Sequence, residues 1–358
     1  MVDDIRRKSG LPEGIDALLI TKPSNRRYLS AFSGSSGSLL INGDNIRYLF
    51  VDTRYSEQAA QEASYFNIMI QKNDEIDCLA DVIKNNCIKT VGIEKDHVTI
   101  KYYEELKKRI PNIEFIAIDN PWEKDRKIKK SFEIEQIKTA VQIADKTFDL
   151  IAKKIKVGMT ERELSIMIDT TLRECGAEKN SFDTIVSSGK RTSLPHGRPT
   201  DKEIFQGDLV MLDFGAVYCG YCSDLTRTLI IGEPDEHQTK IYELVLRAQK
   251  QAIAQIKSGV STAFIDSVAR NIIDKAGYKE YFGHGLGHSL GLEIHEEPRL
   301  SPLDSTVLAP GMIITVEPGV YLPGWGGIRI EDVVLVREDD CEILSQSPKD
   351  IKDVIIKP

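Results

Sequence analysis

The sequence has no apolar run approaching the length of about 20 residues that crosses a bilayer, so a helical membrane protein is not expected. Its first residues, Met1-Val-Asp-Asp-Ile-Arg-Arg-Lys, are charged and lack the apolar core of a secretory signal. Cysteine is sparse, with six in 358 residues, which excludes a disulfide-held scaffold. Together these absences predict a cytoplasmic protein with reduced thiols. A basic stripe is also missing. Net charge is −8, and the basic cluster Lys124–Lys130 is broken by Asp125, so it reads as a solvated linker and nucleic acid is not an expected partner. There is no P-loop and no Gly-x-Ser-x-Gly elbow. Glycines 283, 285, 287 and 291 miss the dinucleotide spacing, and His295-Glu-Glu-Pro-Arg is not the His-Glu-x-x-His of a zincin. Disorder is excluded as the main state, because 41% of residues are apolar.

What is present reads as two domains. Over residues 1–120, strand signals at Ala17–Thr21, Ser38–Ile41, Tyr48–Asp52, Asn67–Gln71, 91–94 and Ile113–Ile118 mix with helical patterns at Tyr55–Ala63 and Asp74–Asn85. Strands alternating with helices predict an α/β layer domain. Pro121 marks a break. The second unit opens with Ser131 as the expected N-cap. Ile134, Ile137, Val141, Ala144, Phe148, Ile151 and Ile155 then recur at steps of three and four, as in an amphipathic helix stopped by Gly158. Thr160-Glu-Arg-Glu163 predicts a capping box for the next helix, and Gly176 its end.

That pattern returns about a hundred residues later. Ile155-Lys-Val-Gly158-Met-Thr160 matches Ile256-Lys-Ser-Gly259-Val-Ser261 at an offset of 101, and Gly207–Asp213 matches Gly311–Glu317 at 104. The offset is too long for a solenoid repeat. It predicts an internal duplication about a pseudo-twofold axis over 131–358.

The duplication pairs Asp213 with Glu317 and, with a small insertion, Asp224 with Glu331. Alternation places Leu209, Met211 and Asp213 on one strand face, and Arg329, Glu331 and Val333 on another. A carboxylate on an apolar strand is costly unless its charge is compensated. Four at matched positions point to one shared site, which a pair of divalent ions would neutralise. Three of the six histidines, His284, His288 and His295, fall within twelve residues of glycine-rich chain, and His196 sits in Leu-Pro-His-Gly-Arg-Pro. A lone histidine is ordinarily structural, but glycines let backbone approach a ligand closely. One imidazole among carboxylates suits Mn²⁺, Fe²⁺ or Co²⁺.

Taken as a set, Leu-Asp213-Phe-Gly, Ser-Asp224-Leu-Thr-Arg-Thr, Gly-His284-Gly-Leu-Gly-His288, His295-Glu-Glu-Pro-Arg299, Val-Glu317-Pro-Gly and Arg329-Ile-Glu331-Asp resemble the pita-bread metallopeptidases. The similarity is greatest to the proline-specific branch, Xaa-Pro dipeptidase (prolidase) and aminopeptidase P. Tyr28-Leu-Ser-Ala-Phe and Val-Asp52-Thr-Arg-Tyr55 resemble landmarks of the creatinase-type N-terminal domain. The resemblance implies an α+β fold: a creatinase-type α/β domain over 1–122, a linker over 123–130, and a pita-bread catalytic domain with pseudo-twofold duplication over 131–358. It implies two divalent metal ions, Mn²⁺ foremost with Co²⁺, Fe²⁺ or Zn²⁺ as alternatives. Asp213, Asp224, His288, Glu317 and Glu331 would be the ligands, with Asp224 and Glu331 bridging. Glu317 would also be the general base for the attacking water, and His196 and His295 would stabilise the tetrahedral intermediate.

His284, Arg299 and Arg329 form the implied substrate-binding set, with Arg329 also placed to orient Glu331. The resemblance further implies a homodimer, with the N-terminal domain mediating dimerisation and bordering the mouth of the site. The expected partners are short proline-containing peptides. All five ligand positions hold the family's residue type, which argues against creatinase and against an inactive binding protein on the same fold. Methionine aminopeptidases generally lack such an N-terminal domain. Departures are small: Ser-Ala-Phe at 30–32 replaces Thr-Gly-Phe, and Arg-Pro-Thr follows His196-Gly.

An Xaa-Pro bond has no N–H, so recognition must use ring shape and the neighbouring carbonyl or carboxylate. Arg299 suits the free carboxylate of a dipeptide and tilts the reading to prolidase over aminopeptidase P. Cys219-Gly-Tyr-Cys222 lies between two expected ligands in a stretch that reads as strand or hairpin, whereas a redox pair belongs at a helix head, so no function is assigned to it.

Overall fold

The computed structural model describes residues 11–43, 46–71 and 74–357. The charged residues 1–10, read above for a missing signal, lie outside the described residues. The chain forms two compact units that divide between Glu123 and Lys124.

In the first unit, six strands make one mixed sheet: β1 (Ala17–Ile20), β2 (Ser38–Asn42), β3 (Arg47–Val51), β4 (Asn67–Ile70), β5 (Thr90–Glu94) and β6 (Glu114–Ile118), in the order β4-β3-β2-β1-β5-β6. The β1–β2 and β2–β3 pairs are antiparallel. The β3–β4, β1–β5 and β5–β6 pairs are parallel. Four helices accompany them: α1 (Pro23–Ser30), α2 (Ser56–Glu62), α3 (Glu75–Asn85) and α4 (Ile100–Arg109). Leu19, Leu40, Phe50, Leu79, Ile93 and Leu106 fill the core between sheet and helices. Helices α1 and α4 are absent from the sequence reading. In α1 the reason is physical: its buried face is polar. Asn25 donates to Glu94 at 2.6 Å, and Arg26 donates to the carbonyls of Gly34 and Gly37, both at 2.6 Å. No apolar period marks such a helix.

The expected solvated linker is a correction. Glu123–Lys127 is a short helix, α5, and Arg126 and Lys129 are buried. Arg126 pairs with Glu293 at 3.0 Å and with Glu296, and Lys129 donates to Ser289 Oγ at 2.9 Å and to Glu296 at 3.3 Å. Two charges of a run read as hydrated are here neutralised inside the fold, while Glu123, Lys124 and Asp125 are exposed.

The next helices are α6 (Ser131–Ala152) and α7 (Glu161–Glu174). Ser131 is the first helical residue of α6 rather than its N-cap, which is Lys130, whose N–H is met by Glu133. The helix ends at Ala152, so Ile155 is a buried residue beyond it rather than its last apolar step. The Thr160–Glu163 capping box forms, and Gly176 takes φ 109° just past α7.

The remaining strands are β7 (Lys179–Asn180), β8 (Ile185–Ser188), β9 (Leu209–Phe214), β10 (Ala216–Tyr218), β11 (Tyr221–Cys222) and β12 (Leu225–Ile231), then, after helices α8 (Glu236–Ile253) and α9 (Thr262–Lys275), β13 (Gly287–Ser289), β14 (Glu296–Leu300), β15 (Ile313–Val316), β16 (Gly319–Leu322), β17 (Gly326–Arg329), β18 (Asp332–Val336), β19 (Cys341–Ile343) and β20 (Ile355–Ile356).

The duplication is visible in the ladders. β8-β9-β12 are adjacent and antiparallel in one sheet, and β13-β15-β18 are adjacent and antiparallel in another. Loop hydrogen bonds repeat too: Gly158 N–H to Ile204 O and Gly259 N–H to Leu308 O are both 2.9 Å. One apolar core, including Leu164, Phe148, Leu212, Tyr242, Ile265 and Ile314, joins the helices of both halves to the sheets.

Candidate metal centre

The two halves deliver their carboxylates at equivalent strand ends. Asp213 lies near the end of β9, and Glu317 directly follows β15. Asp224 directly precedes β12, and Glu331 directly precedes β18. The single strand expected to carry Arg329, Glu331 and Val333 on one face is interrupted here: β17 ends at Arg329 and β18 starts at Asp332. Glu331 therefore sits in a break, where its backbone N–H bonds Thr226 O at 3.2 Å instead of joining a ladder.

His288 is the middle residue of β13. A Cβ at the preceding Gly287 would stand 2.0 Å from Thr315 O, so glycine is what lets β13 lie this close to β15. His288 Nε2 is 3.3 Å from Glu317 Oε1 and 3.6 Å from Asp224 Oδ2. One ligand atom each from Asp224, His288 and Glu331 lie within 4.8 Å of one another. His288 Nδ1 lies 3.0 Å from Ser289 O. A carbonyl only accepts, so Nδ1 carries the proton and Nε2 turns its lone pair to the carboxylates, the form a metal requires.

The carboxylates are individually held but collectively under-neutralised. Glu331 Oε2 accepts from Thr226 Oγ1 at 2.7 Å, and Glu317 Oε1 accepts from Thr315 Oγ1 at 3.1 Å. Asp213 is ion-paired to Arg329. Asp224 Oδ1 and Glu331 Oε1 are buried with no hydrogen-bond partner. Native proteins rarely leave such oxygens unmatched. Burial, then mutual repulsion, pushes the Asp224 and Glu331 carboxyls well above the usual range. Burial also raises Glu317, against the pull of His284 and Arg329. Unmatched oxygens, repelling carboxylates and a neutral imidazole lone pair are a donor set that fits divalent cations.

Arg329 is a correction to the sequence reading. It is buried, and its guanidinium bonds lie within the protein: Nε to Thr226 Oγ1 at 3.0 Å, Nη1 to Tyr321 Oη at 2.8 Å and to Pro195 O at 3.2 Å, and Nη2 to Asp213. It is thus not presented to substrate, and it orients Asp213 directly and Glu331 through Thr226. Burial opposes its charge, but Tyr321, Asp213 and Glu317 outweigh this and hold it firmly cationic.

The other expected residues surround the cluster. The His295 ring is 4.5 Å from that of His288, edge to face. Desolvation, then His288, Arg299 and His196, pull the His295 pKa down to about 4, so it is neutral at neutral pH. His196 is exposed, in the turn closed by Gly197 N–H to Leu194 O at 3.0 Å. Arg299 is exposed and is the cross-strand partner of His288 between β13 and β14, so both side chains leave the same face. His284 has both nitrogens engaged, Nδ1 donating to Gly285 O at 2.7 Å and Nε2 accepting from Tyr321 Oη at 3.0 Å. It therefore offers carbon edges, not a free nitrogen.

Thr226, Thr315 and Tyr321 were not singled out from sequence. Thr226 carried a signal: it lies two residues from Asp224, in the Asp-Leu-Thr-Arg-Thr run. The Cys219–Cys222 stretch is the β10–β11 hairpin, with Cys219 (φ 47°) and Gly220 (φ 82°) forming its turn. Burial pushes the Cys222 thiol up to about 12, so it is not a ready thiolate.

Comparison with known proteins shows the family. Residues 135–338 match metallopeptidase family M24, and residues 11–128 match the creatinase/prolidase N-terminal domain. The chain belongs to metallopeptidase family M24. Among its M24 relatives, the Xaa-Pro dipeptidase of Pyrococcus horikoshii is 42% identical over 338 residues, covering 94% of each chain. An uncharacterised Bacillus subtilis peptidase, YqhT, is also 42% identical, over 94% of this chain and 96% of its own. The structure of an Xaa-Pro dipeptidase from Bacillus anthracis superposes with TM-score 0.92 at 43% identity, covering 96% and 95% of the two chains. An X-Pro aminopeptidase structure from Thermotoga maritima gives TM-score 0.90 at 40% identity, covering 96% and 98%. The fold is thus the pita-bread domain with a creatinase-type N-terminal domain.

Proposed function

We propose that this M24 peptidase hydrolyses Xaa-Pro bonds in short peptides, with Xaa-Pro dipeptides as the preferred substrates. The observation that carries the reading is the pair of buried, unpartnered oxygens, Asp224 Oδ1 and Glu331 Oε1, on two carboxylates grouped with His288. Asp213, Asp224, His288, Glu317 and Glu331 would hold two divalent ions, Mn²⁺ foremost. When bound, such ions polarise the scissile carbonyl and acidify the attacking water.

The chain's own residues do the rest. Glu317 takes the water's proton at its carboxylate and passes it towards the proline nitrogen, which must be protonated to leave. His196 and His295, both exposed, donate to the carbonyl oxygen as negative charge develops there. Arg329 and Thr226 hold Asp213 and Glu331 in place, and His284 walls the site. Arg299 binds the free carboxylate of the proline residue. Support for that role is its position opposite His288 on β14 and its exposed guanidinium. The same chemistry on a longer peptide is the aminopeptidase P reading, favoured by the Thermotoga structural neighbour. We further propose a cytoplasmic homodimer, with a creatinase-type domain over 1–122 and a catalytic domain over 131–358.

The test compares an Xaa-Pro dipeptide with an Xaa-Pro-Xaa tripeptide, with Mn²⁺ and with EDTA. Metal-dependent dipeptide cleavage is expected. Tripeptide cleavage with little dipeptide turnover would reassign the protein to the aminopeptidase P reading, and no cleavage of either by metal-loaded protein would overturn the substrate class.

A further inference from the structure

Glu161, the first residue of α7, is fully buried, and the centre does not use it directly. Its carboxylate accepts at both ends of one segment. Oε1 takes Ser188 N–H at 2.8 Å and Ser188 Oγ at 3.0 Å. Oε2 takes Thr200 N–H at 3.0 Å and Thr200 Oγ1 at 2.7 Å. Arg191 Nε lies between, at 3.2 and 3.1 Å from the two oxygens, and its Nη2 donates onward to Arg198 O at 2.7 Å. The segment closed in this way, 188–200, carries His196 at its exposed turn.

We propose that Glu161 is the positioning residue of the His196 arm: one buried carboxylate clamps Ser188, Arg191 and Thr200 and so sets where His196 stands beside the metal centre. The inference rests on the function proposed above for His196.

The duplication supplies an internal comparison. The equivalent of Glu161 in the second half is Thr262, and the backbone bonds agree: Glu161 N–H to Lys202 O at 3.0 Å, Thr262 N–H to Thr306 O at 2.9 Å. Thr262 Oγ1 donates to Asp304 O at 2.6 Å. There the chain returns after β14 ends at Leu300. In the first half the chain leaves β8, the counterpart of β13, at Ser188, and both Ser188 and the returning Thr200 meet the carboxylate, with His196 between them. Five donors converge on Glu161, and both carboxylate oxygens are needed to accept them. Glutamine keeps the size but turns an NH₂ group towards one end of the arm. The middle of the arm is pinned separately by Arg329 to Pro195 O and by Gly327 N–H to Thr192 Oγ1 at 2.7 Å, so the loss should loosen the arm without unfolding the domain.

The test uses the full-length Mn²⁺-loaded enzyme and the variants Glu161→Gln, His196→Ala and the double. Glu161→Gln should lower kcat by at least about tenfold with KM little changed, because ångström misplacement of a group acting in the transition state costs that much. In the His196→Ala background it should cost less than about twofold more, because a residue acting through His196 has nothing left to position. Amide exchange over 189–199 should quicken in Glu161→Gln. Full additivity of the two substitutions overturns the proposal, as does unchanged exchange in the arm. If the wild type cleaves no Xaa-Pro peptide, the functional reading falls, and exchange alone decides the clamp. If Glu161→Gln does not fold, Thr200→Val, which opens one end, is put through the same cycle and judged by the same outcomes.

Discussion

Arg329 reaches Glu331 through the hydroxyl of Thr226, which accepts from Arg329 Nε at 3.0 Å and donates to Glu331 Oε2 at 2.7 Å. That single hydroxyl, on β12 of the first half, joins two residues of the second. Thr226→Val keeps the shape and removes both bonds. Loss of such an outer partner costs about 10–100-fold in metal affinity or activity. Metal titration followed by calorimetry should show weaker binding, with circular dichroism unchanged. Wild-type affinity would remove Thr226 from the centre.

The five proposed ligands should be individually indispensable. Asp213→Ala and Glu331→Ala should each reduce turnover to background and lower the metal retained after dialysis below the wild-type content. Wild-type-like activity in either would sink the assignment.

Arg299 separates the two substrate readings. Arg299→Ala should raise KM for an Xaa-Pro dipeptide by about ten- to a hundredfold, the loss expected for a hydrogen-bonded charge. A tripeptide, whose proline carboxyl is an amide, should be nearly unaffected. Equal effects on both substrates would leave Arg299 without a role in carboxylate binding.

The acidic cluster makes the stability of the metal-free protein depend on pH. Burial, then neighbouring carboxylates, raise Asp224 and Glu331, and burial raises Glu317, above ordinary values of 3.8 and 4.5. A folded-state pKa above the unfolded one stabilises most below the unfolded pKa, and that stabilisation is lost as pH rises through the folded value. The Tm of EDTA-treated protein should therefore fall relative to Mn²⁺-loaded protein as pH rises from about 4 to 8. A gap that stays constant across this range would contradict the reading of the cluster.

A second charged group supports the site without touching it. Arg227 is fully buried and donates to Asp332 at 2.7 Å, to Ser347 O at 2.7 Å, to Pro348 O at 3.0 Å and to the carbonyl of Glu331. Asp332 is also met by Gln249 at 2.8 Å and by Lys349. Arg227→Met should cost about 3–5 kcal/mol of stability, the range for breaking a buried pair. Denaturant unfolding of the metal-loaded protein measures it, and a loss below about 1 kcal/mol would mean that the carbonyls find other donors.

Much of this was legible in the chain because it is local. Thr160 and Glu163 are three residues apart, and a capping box needs no more than that spacing. The offsets of 101 and 104 are matched by equivalent ladders and equivalent loop bonds. Other features were hidden because their partners are distant in sequence. Arg126 and Lys129 look like solvated charge until Glu293 and Glu296 arrive some 167 residues later. Helix α1 buries Asn25 and Arg26 where a period of apolar residues would be sought.

The sequence by itself determined which residue types recur at matched positions: two carboxylates in each half, one imidazole in the centre, and glycines where backbones must pass. Composition and order carry that information, since side-chain chemistry and local periodicity belong to the chain. The tertiary structure alone decided how the charges are shared. It broke the strand before Asp332 so that Glu331 turns to Thr226, gave Arg329 to Asp213, engaged both nitrogens of His284, and left Asp224 Oδ1 and Glu331 Oε1 unmatched. The physical reason is that ion pairs and hydrogen bonds act over a few ångströms, and which donor lies within that reach of a buried carboxylate is settled by packing between segments far apart in the chain.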